Sequence, residues 1–275
     1  MKQIIIFLTL AVSLLGCSDD ENLGESGLLP PNVEKNEIDD YIKATFTDPY
    51  NMVIDYKWPS NEVDNSKIIL PIKYELVKPF CELLKNLWIN PYVKHINDEF
   101  VKKYIPKQVI LVGTPNYNAD GTVTEGIAEG GRKITIFSIN SLNFKDKNMV
   151  RKQFGTMHHE FAHILHQTIN YDETYQQITP RNYTLSWYDF NHQQAWERGY
   201  VTPYSMESPD EDFVEMYAHM LILTDEEWND MLSYPKTDVE AIKRKEAIVA
   251  DYMLENWNID VYELKKLIQK QLDEL

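Results

Sequence analysis

The sequence is short of cysteine and of positive charge. It contains two cysteines in 275 residues, and its 27 Lys and Arg are outnumbered by 43 Asp and Glu, which gives a formal net charge of −16. No run of lysines is dense enough to form the basic surface that phosphate binding requires. We therefore predict that the protein has no nucleic-acid partner.

The apolar run at the N terminus is too short for a permanent membrane-spanning helix. It extends from Ile4 to Leu15 behind Lys2, as in an export signal. The segment "LLGC", which ends at Cys17, resembles the lipobox of bacterial lipoproteins, where the cysteine becomes the lipid-bearing first residue. We predict a signal peptide over residues 1–16 and lipidation of Cys17. The alternative is a plain secretory signal in which the cysteine is accidental.

The second cysteine then has no partner for an intrachain disulfide. Cys81 lies in the apolar stretch "PFCELLKNLW", which favours an inert buried thiol over a nucleophile. Because no disulfide is available, the stability of an exported domain has to come from packing.

Residues 17–37 are predicted to form a flexible, lipid-anchored tether. The segment "SDDENLGESGLLPPNVEKNE" is rich in acids, Gly, Ser and Pro and has no aromatic residue, so it cannot bury enough apolar surface to become ordered. Its first letters, "SDDE", resemble the surface-export tag of outer-membrane lipoproteins in some Gram-negative bacteria. We therefore expect an outer-membrane protein whose folded domain faces the cell exterior.

Residues 38–275 are predicted to fold as one α+β domain. The hydrophobic content of 43% and the six tryptophans are enough for one substantial core. The stretch "DDYIKATFTDPY" predicts a short helix, and the alternation of Ile54, Tyr56 and Trp58 with polar residues predicts a half-buried strand. Helical spacing predicts a helix from Tyr74 to Trp88. A second helix is expected to follow through Val93, Ile96 and Phe100.

A small sheet is predicted next, before a mainly helical C-terminal part. The runs "KQVILVG", "GTVTEGIAEGG" and "RKITIFSIN" are β-prone and are separated by the turn "NADG" and by Gly130 and Gly131. We predict that they are strands of one sheet. The long irregular stretch from about Ile169 to Ser208 either covers a cleft as a lid or packs as core through its aromatic residues.

A histidine-rich helix is predicted from about Asn148 to Thr168. Its apolar stripe consists of Val150, Phe154, Met157, Phe161 and Ile164. Nearly opposite this stripe lie His159, His163 and His166. Histidines four residues apart share one helix face, close enough for two imidazoles to bind a single zinc ion.

The stretch "HEFAH" is an HExxH motif, in which His159 and His163 bind zinc and Glu160 is the general base for the activated water. The motif also occurs by chance in helices, so a third ligand decides its meaning. The metzincin extension needs a histidine at position 169, which is Ile169. His166 is badly placed to converge with the other two on one ion in a regular helix. We therefore expect it to contact a ligand residue from outside or to face the substrate, whereas the sequence assigns no role to His158.

A carboxylate from a later helix is the other common third ligand. The stretch "SPDEDFVEMYAHMLIL" has a serine cap, an early proline and three acids in its first turn. Capping explains Asp210 and Asp212. Glu211 and Glu215 share one face of this predicted buried helix, where carboxylates need a cation or strong hydrogen bonds.

These residues resemble the gluzincin pattern of zinc metallopeptidases, as in the catalytic domain of anthrax lethal factor. The resemblance implies that His159, His163 and Glu211 bind one zinc ion and that Glu215 orients a ligand histidine. It also implies that Tyr204, seven residues before Glu211, stabilises the oxyanion. Tyr200 is the rival for this role.

A wider resemblance extends over nearly the whole chain. The blocks "YNMVIDYKW", "FCELLKNLWINPY", "PKQVILVG", "TEGIAEGGRKITIF" and "HHEFAHILHQ" are similar to zinc-binding metallopeptidases identified as substrate import-associated zinc metallohydrolase lipoproteins. The resemblance implies a zincin-like fold and a hydrolase of peptides or glycoproteins that works beside an outer-membrane nutrient importer. The alternative is a non-catalytic surface binding lipoprotein that retains a zinc site.

One further segment has two interpretations. "GIAEGGRKI" is a candidate edge strand that pairs with an extended peptide. The alternative is that Gly126, Gly130 and Gly131 only shape a turn. Arg132 is either a substrate contact or a solvated surface charge.

Overall fold

The computed structural model of the protein describes residues 36–57 and 67–275. The predicted signal peptide, Cys17 and most of the tether lie outside these residues, as does Trp58 of the predicted first strand. Those features remain predictions. In the two described ranges, no helix combines the length and the apolar character that crossing a membrane requires.

A mixed four-stranded sheet lies beside the histidine-rich helix. Its strands are β1 (Val53–Asp55), β2 (Gln108–Leu111), β5 (Gly126–Glu129) and β6 (Lys133–Ile136). The order is β1–β2–β6–β5, with β1, β2 and β6 parallel and β5 antiparallel at the edge. The central strands are rich in Val and Ile because both faces are covered. Val109, Ile134 and Ile136 are accordingly fully buried.

One expectation about the strands is wrong. The predicted strands do not all belong to one sheet. The first part of the β-prone run after the "NADG" turn, β4 (Val123–Thr124), pairs with β3 (Asn116–Tyr117) in a separate hairpin. The "NADG" turn closes this hairpin through Asn118 N–H, which donates to the Thr122 carbonyl at 2.9 Å. Only the second part of the run, β5, joins the main sheet.

Helices are the main regular structure of the described residues. In chain order they are α1 (Glu37–Ile42), α2 (Asp48–Tyr50), α3 (Tyr74–Leu83), α4 (Asn90–His95), α5 (Asp98–Tyr104), α6 (Lys147–Thr168), α7 (His192–Trp196), α8 (Pro209–Ile222), α9 (Asp225–Ser233), α10 (Val239–Trp257) and α11 (Val261–Asp273). Two π-helical segments, Lys43–Thr47 and Leu84–Ile89, join α1 to α2 and α3 to α4.

The boundary between the two helices predicted after Tyr74 lies later in the structure than the sequence predicts. The first helix continues through Leu84–Ile89 to His95 and so includes Val93. The next helix begins at Asp98 because the side chain of Asn97 caps it, accepting a hydrogen bond from Phe100 N–H at 2.8 Å. The cap, and not the apolar periodicity, determines the boundary.

One large hydrophobic core joins the sheet to the helices. Aromatic contacts link its layers: Trp88 meets Phe161 edge to face at 5.7 Å between centroids, and Phe80 stacks on Phe154 at 5.8 Å. Cys81 is completely buried in this core. Burial raises the pKa of its thiol to about 12, which agrees with the prediction of an inert buried thiol.

The stretch between Ile169 and Ser208 partly packs as core and partly borders the cleft. Tyr183, Trp187 and Phe190 lie against a small buried cluster of Ala195, Tyr200 and Met206, all from the stretch itself. Two of its other residues, Tyr175 and Val201, are buried in the main core, while Trp187 also lines the cleft.

A buried ion pair attaches this segment to the helices. Lys245 Nζ of α10 lies 2.7 Å from Asp212 Oδ2 of α8, with both side chains completely buried. Lys245 also donates to the Gly199 carbonyl at 2.9 Å, and the Tyr183 hydroxyl donates to Asp212 Oδ2 at 2.9 Å. Capping alone, the explanation expected for Asp212, is therefore insufficient.

Candidate metal centre

The histidine-rich helix α6 forms because its start is capped and its stripe is apolar. The Asp146 carboxylate accepts hydrogen bonds from the backbone N–H groups of Asn148 at 3.0 Å and Met149 at 3.2 Å. All five residues of the predicted stripe are buried: Val150, Phe154, Met157, Phe161 and Ile164. Packing of the stripe on the core directs His159 and His163 toward the neighbouring helix α8.

Three donor atoms converge between α6 and α8. Glu211 Oε2 lies 3.1 Å from His159 Nε2 and 3.4 Å from His163 Nε2. Donor atoms of the three residues all lie within 4.8 Å of one another. Ligands of a tetrahedral zinc ion, bound at roughly 2.0–2.2 Å, stand roughly 3.3 Å apart.

One polar atom of this cluster has no hydrogen-bond partner among the described residues. Glu211 Oε2 is buried and makes no hydrogen bond to any residue of the two described ranges, despite its two imidazole neighbours. Burial opposes ionisation of Glu211, but His159 and His163 hold its pKa well below the usual range. A buried carboxylate oxygen facing two imidazole nitrogens is a donor set that suits zinc. The residues present therefore fit the ion.

The outer nitrogens of both histidines are already engaged. His159 Nδ1 lies 2.8 Å from Glu215 Oε1, and the Thr202 hydroxyl donates to Glu215 Oε2 at 2.6 Å. His163 Nδ1 lies 3.0 Å from His166 Nε2. Only the Nε2 atoms of His159 and His163 remain for a metal. His166 contacts the outer side of His163 and does not point at the donor cluster.

Glu160 lies next to the edge strand of the sheet. Burial raises the pKa of its carboxyl group, although His159 and His163 act in the opposite direction. Gly126 of β5 approaches it so closely that a Cβ atom there would stand 2.8 Å from Glu160 Oε1 and 2.6 Å from Thr156 Cγ2. Gly126 is therefore a close-approach residue, and the turn interpretation is wrong for it.

The turn interpretation does hold for the other two glycines. Gly130 and Gly131 have φ of +58° and +66° and connect β5 to β6. Arg132 follows them and is exposed. Its backbone N–H closes the turn by donating to the Glu129 carbonyl at 3.1 Å.

The two candidate tyrosines occupy different surroundings. Tyr204 lines the cleft beside the cluster, with its ring 5.9 Å from that of His159. Burial, together with the charge of Glu211, raises the pKa of Tyr204, so its hydroxyl keeps its proton. Tyr200 is completely buried and its hydroxyl donates to the Thr179 carbonyl at 3.0 Å. Of the two, Tyr204 faces the cleft.

His158 belongs to the core. Its side chain is completely buried, its Nδ1 atom lies 3.1 Å from the Tyr92 hydroxyl, and burial lowers its pKa to about 3. It points away from the donor cluster formed by its neighbour His159. The four clustered histidines thus have three kinds of surroundings. His158 lies in the core, His159 and His163 face Glu211, and His166 contacts only the outer side of His163.

A cleft of about 580 Å³ has His159, Glu160 and Tyr204 in its wall. The β3–β4 hairpin, β5, α6, the segment around Tyr204 and α8 line it. Sequence reasoning missed Thr202, which holds Glu215, and His219, which lines the cleft and donates through Nδ1 to the Glu215 carbonyl at 2.9 Å. His219 could have been found by its position one helical turn after Glu215, whereas Thr202 has no such signal.

The chain is similar to known proteins of one family. Residues 31–262 match the family described as "Putative zinc-binding metallo-peptidase". The crystal structure of a putative zinc-binding metallo-peptidase from Bacteroides caccae ATCC 43185 is similar to this chain, with 30% sequence identity and a TM-score of 0.74. The similarity covers 86% of this chain and 93% of that chain. A search of the curated proteins found no match. The chain therefore belongs to the family of putative zinc-binding metallopeptidases.

Proposed function

We propose that the protein is a gluzincin-type zinc metallopeptidase with a zincin-like fold, and that His159, His163 and Glu211 bind one zinc ion. The convergence of three donor atoms on one point, where Glu211 Oε2 is buried without a hydrogen bond, carries this proposal. Zinc in such a site acts as a Lewis acid that polarises a substrate carbonyl and lowers the pKa of water.

Glu160 is the general base of the proposed reaction. Its carboxylate accepts a proton from the attacking water and delivers it to the leaving amine nitrogen. Burial raises the pKa of Glu160, which brings its proton affinity closer to that needed near neutral pH. Gly126 permits this position, because the Cβ atom of any larger residue would stand only 2.8 Å from Glu160 Oε1.

Tyr204 and Glu215 support the reaction from two sides. The protonated hydroxyl of Tyr204 donates to the oxyanion that develops on the substrate carbonyl. Glu215 accepts from His159 Nδ1 and so keeps the Nε2 lone pair of His159 directed at the metal position. Thr202 fixes the other oxygen of Glu215.

The edge strand β5 is the proposed binding surface for an extended peptide. The Glu125 carbonyl accepts from Phe137 N–H at 3.1 Å, so the alternation of an antiparallel ladder turns the backbone groups of Gly126 and Ala128 toward the free edge. The Ala128 N–H donates to the Glu160 carboxylate, whereas the Ala128 carbonyl and both backbone groups of Gly126 can pair with a peptide backbone with little regard to its side chains. The substrate is therefore a peptide or a glycoprotein segment.

The proposed setting is the outer membrane. The lipobox-like "LLGC", the acidic "SDDE" and the tether support a protein anchored through Cys17 that faces the cell exterior. An enzyme in that position would process peptides or glycoproteins beside a nutrient importer. Radiolabelled fatty acid incorporated by wild type, and not by Cys17→Ser, is the expected result of a test for the anchor.

The catalytic proposal is tested with the purified protein and a peptide library. Glu160→Gln should keep one zinc per chain, because the residue is not a ligand, and should lose roughly 10²- to 10⁴-fold in hydrolysis rate. Full activity in Glu160→Gln would refute the proposed base. Zinc bound tightly by a wild-type protein that hydrolyses no peptide would instead support the binding-lipoprotein alternative.

A further inference from the structure

We infer that His166 is a positioning residue that selects the metal-binding tautomer of His163 and thereby sets the zinc affinity of the site. This inference rests on the zinc site of the proposed function and not on its hydrolytic step. Neither the HExxH motif nor the membership of the family assigns a role to this histidine. The inference begins from the contact between His163 Nδ1 and His166 Nε2, which is 3.0 Å long.

The direction of this hydrogen bond follows from the needs of the metal. A neutral imidazole carries its proton on one nitrogen and a lone pair on the other. His163 Nε2 lies 3.4 Å from Glu211 Oε2 and must offer its lone pair to a metal in the donor cluster. The proton of His163 then resides on Nδ1 and is donated to His166 Nε2, so His166 acts as the acceptor.

The surroundings of His166 hold it in this role. It is 5% exposed, and its ring packs against Tyr171 and Phe213 at centroid distances of 5.6 Å and 6.2 Å. Tyr171 stacks on Phe213 at 4.2 Å and donates its hydroxyl to Asp210 Oδ1 at 2.6 Å. The aromatic packing limits rotation of the His166 ring. Its Nε2 atom therefore stays on the outer side of His163, where it cannot become a ligand.

The two ligand histidines have unequal acceptors. His159 Nδ1 faces the Glu215 carboxylate, whereas His163 Nδ1 faces a neutral imidazole. Hydrogen bonds to charged acceptors are about twice as strong as those to neutral ones. Loss of such an outer partner costs roughly 10- to 100-fold in metal affinity. We therefore expect about a 10-fold loss of zinc affinity without His166, and a larger loss without Glu215.

A matched pair of substitutions separates the hydrogen bond from the volume of the side chain. The amide oxygen of glutamine can occupy the place of histidine Nε2, whereas the shorter asparagine reaches only the place of Nδ1. Zinc affinity is measured by chelator competition with wild type, His166→Gln, His166→Asn and the core control His158→Gln. We expect His166→Asn to bind zinc about 10-fold more weakly and His166→Gln to bind it nearly as tightly as wild type. His158→Gln should leave zinc affinity unchanged.

A spectroscopic measurement gives a second readout that does not depend on activity. In zinc-bound wild type, the imidazole proton on His163 Nδ1 should give a slowly exchanging signal in ¹H–¹⁵N NMR spectra. His166→Gln should keep this signal and His166→Asn should lose it, with the melting temperatures of the two variants alike. If His166→Asn does not fold, His166→Leu, which has no acceptor, replaces it.

The outcomes separate this inference from the function on which it rests. Equal zinc affinity in wild type and the folded His166→Asn variant would overturn the role of His166 alone. Equal weakening in His166→Gln and His166→Asn would also overturn it, because side-chain volume would then be the cause. A wild-type protein without measurable zinc affinity would overturn the proposed zinc site together with this inference.

Discussion

Helix α8 presents two carboxylates in different surroundings. Asp212 is completely buried: its Oδ2 atom lies 2.7 Å from Lys245 Nζ and accepts from the Tyr183 hydroxyl, whereas its Oδ1 atom makes no hydrogen bond within the described ranges. Its neighbour Glu211 faces two imidazole nitrogens, yet its buried Oε2 makes no hydrogen bond within the described ranges. The first cluster contains a lysine cation of the protein itself, whereas the carboxylate of the second faces two imidazoles. This difference marks the second cluster as the candidate metal centre.

The largest expected effect comes from breaking the buried pair of Lys245 and Asp212. Lys245→Met removes the cation from a fully buried pair and leaves Asp212 unpaired. We expect a loss of about 3–5 kcal/mol in the free energy of unfolding, measured by urea denaturation without metal. A loss below about 1 kcal/mol would contradict the view that this pair stabilises the fold. The double variant Lys245→Met/Asp212→Leu should recover part of the loss, because no buried charge remains.

The cluster around Glu211 should respond to metal instead. If zinc binds there, it should stabilise the wild-type fold by mass action, by about 2.7 kcal/mol at a free concentration of 100 Kd. Glu211→Gln removes one donor and should abolish most of this stabilisation. The measurement is the melting temperature of each variant with and without zinc. An equal zinc-induced shift in wild type and Glu211→Gln would show that the ion binds elsewhere.

A third change separates the proposed metal site from the proposed catalytic base. Gly126→Ala places a methyl group within 2.8 Å of Glu160 Oε1 and 2.6 Å of Thr156 Cγ2. We expect a cost of about 1–3 kcal/mol and a lower hydrolysis rate, because Glu160 has to move. Zinc stoichiometry should be unchanged, since none of the three donors is touched. Zinc analysis beside peptide kinetics checks this, and unchanged kinetics would contradict the role of the close approach.

The smallest effect is expected for the labelling of Cys81 by a thiol reagent, which measures how often the core becomes exposed. Burial raises the pKa of its thiol to about 12, so the thiol stays protonated at pH 8. We expect no reaction with a thiol reagent in the folded wild type or in Glu211→Gln, and measurable labelling in Lys245→Met, which unfolds more often. A Cys17→Ser background removes the other cysteine. Rapid labelling of the folded wild type would contradict the burial.

The helix with the HExxH motif could be predicted because its local signals agree. The apolar stripe from Val150 to Ile164 and the N-cap residue Asp146 are both local features of this one helix. The hairpin of β3 and β4 could not be predicted from β-propensity, because propensity does not say which strand is the partner. The boundary at Asn97 depends on a single cap inside a continuous apolar pattern.

For the candidate site, the sequence predicted which residues come together, but it did not predict which other side chains contact them. The spacing of His159 and His163, and the depth of Glu215 in its helix, pointed to the residues that the structure brings together. Lys245 comes from a distant helix, so no local pattern links it to Asp212. Thr202 and the contact between His163 and His166 likewise depend on side-chain positions that spacing does not determine.

The central claim is tested most directly by anomalous diffraction at the zinc edge from crystals of the zinc-loaded protein. The account predicts one peak, roughly 2.0–2.2 Å from His159 Nε2, His163 Nε2 and a carboxylate oxygen of Glu211, with the remaining position open to solvent beside Glu160. A peak bound by His166 or by a fourth protein ligand, or no peak between α6 and α8, would contradict it.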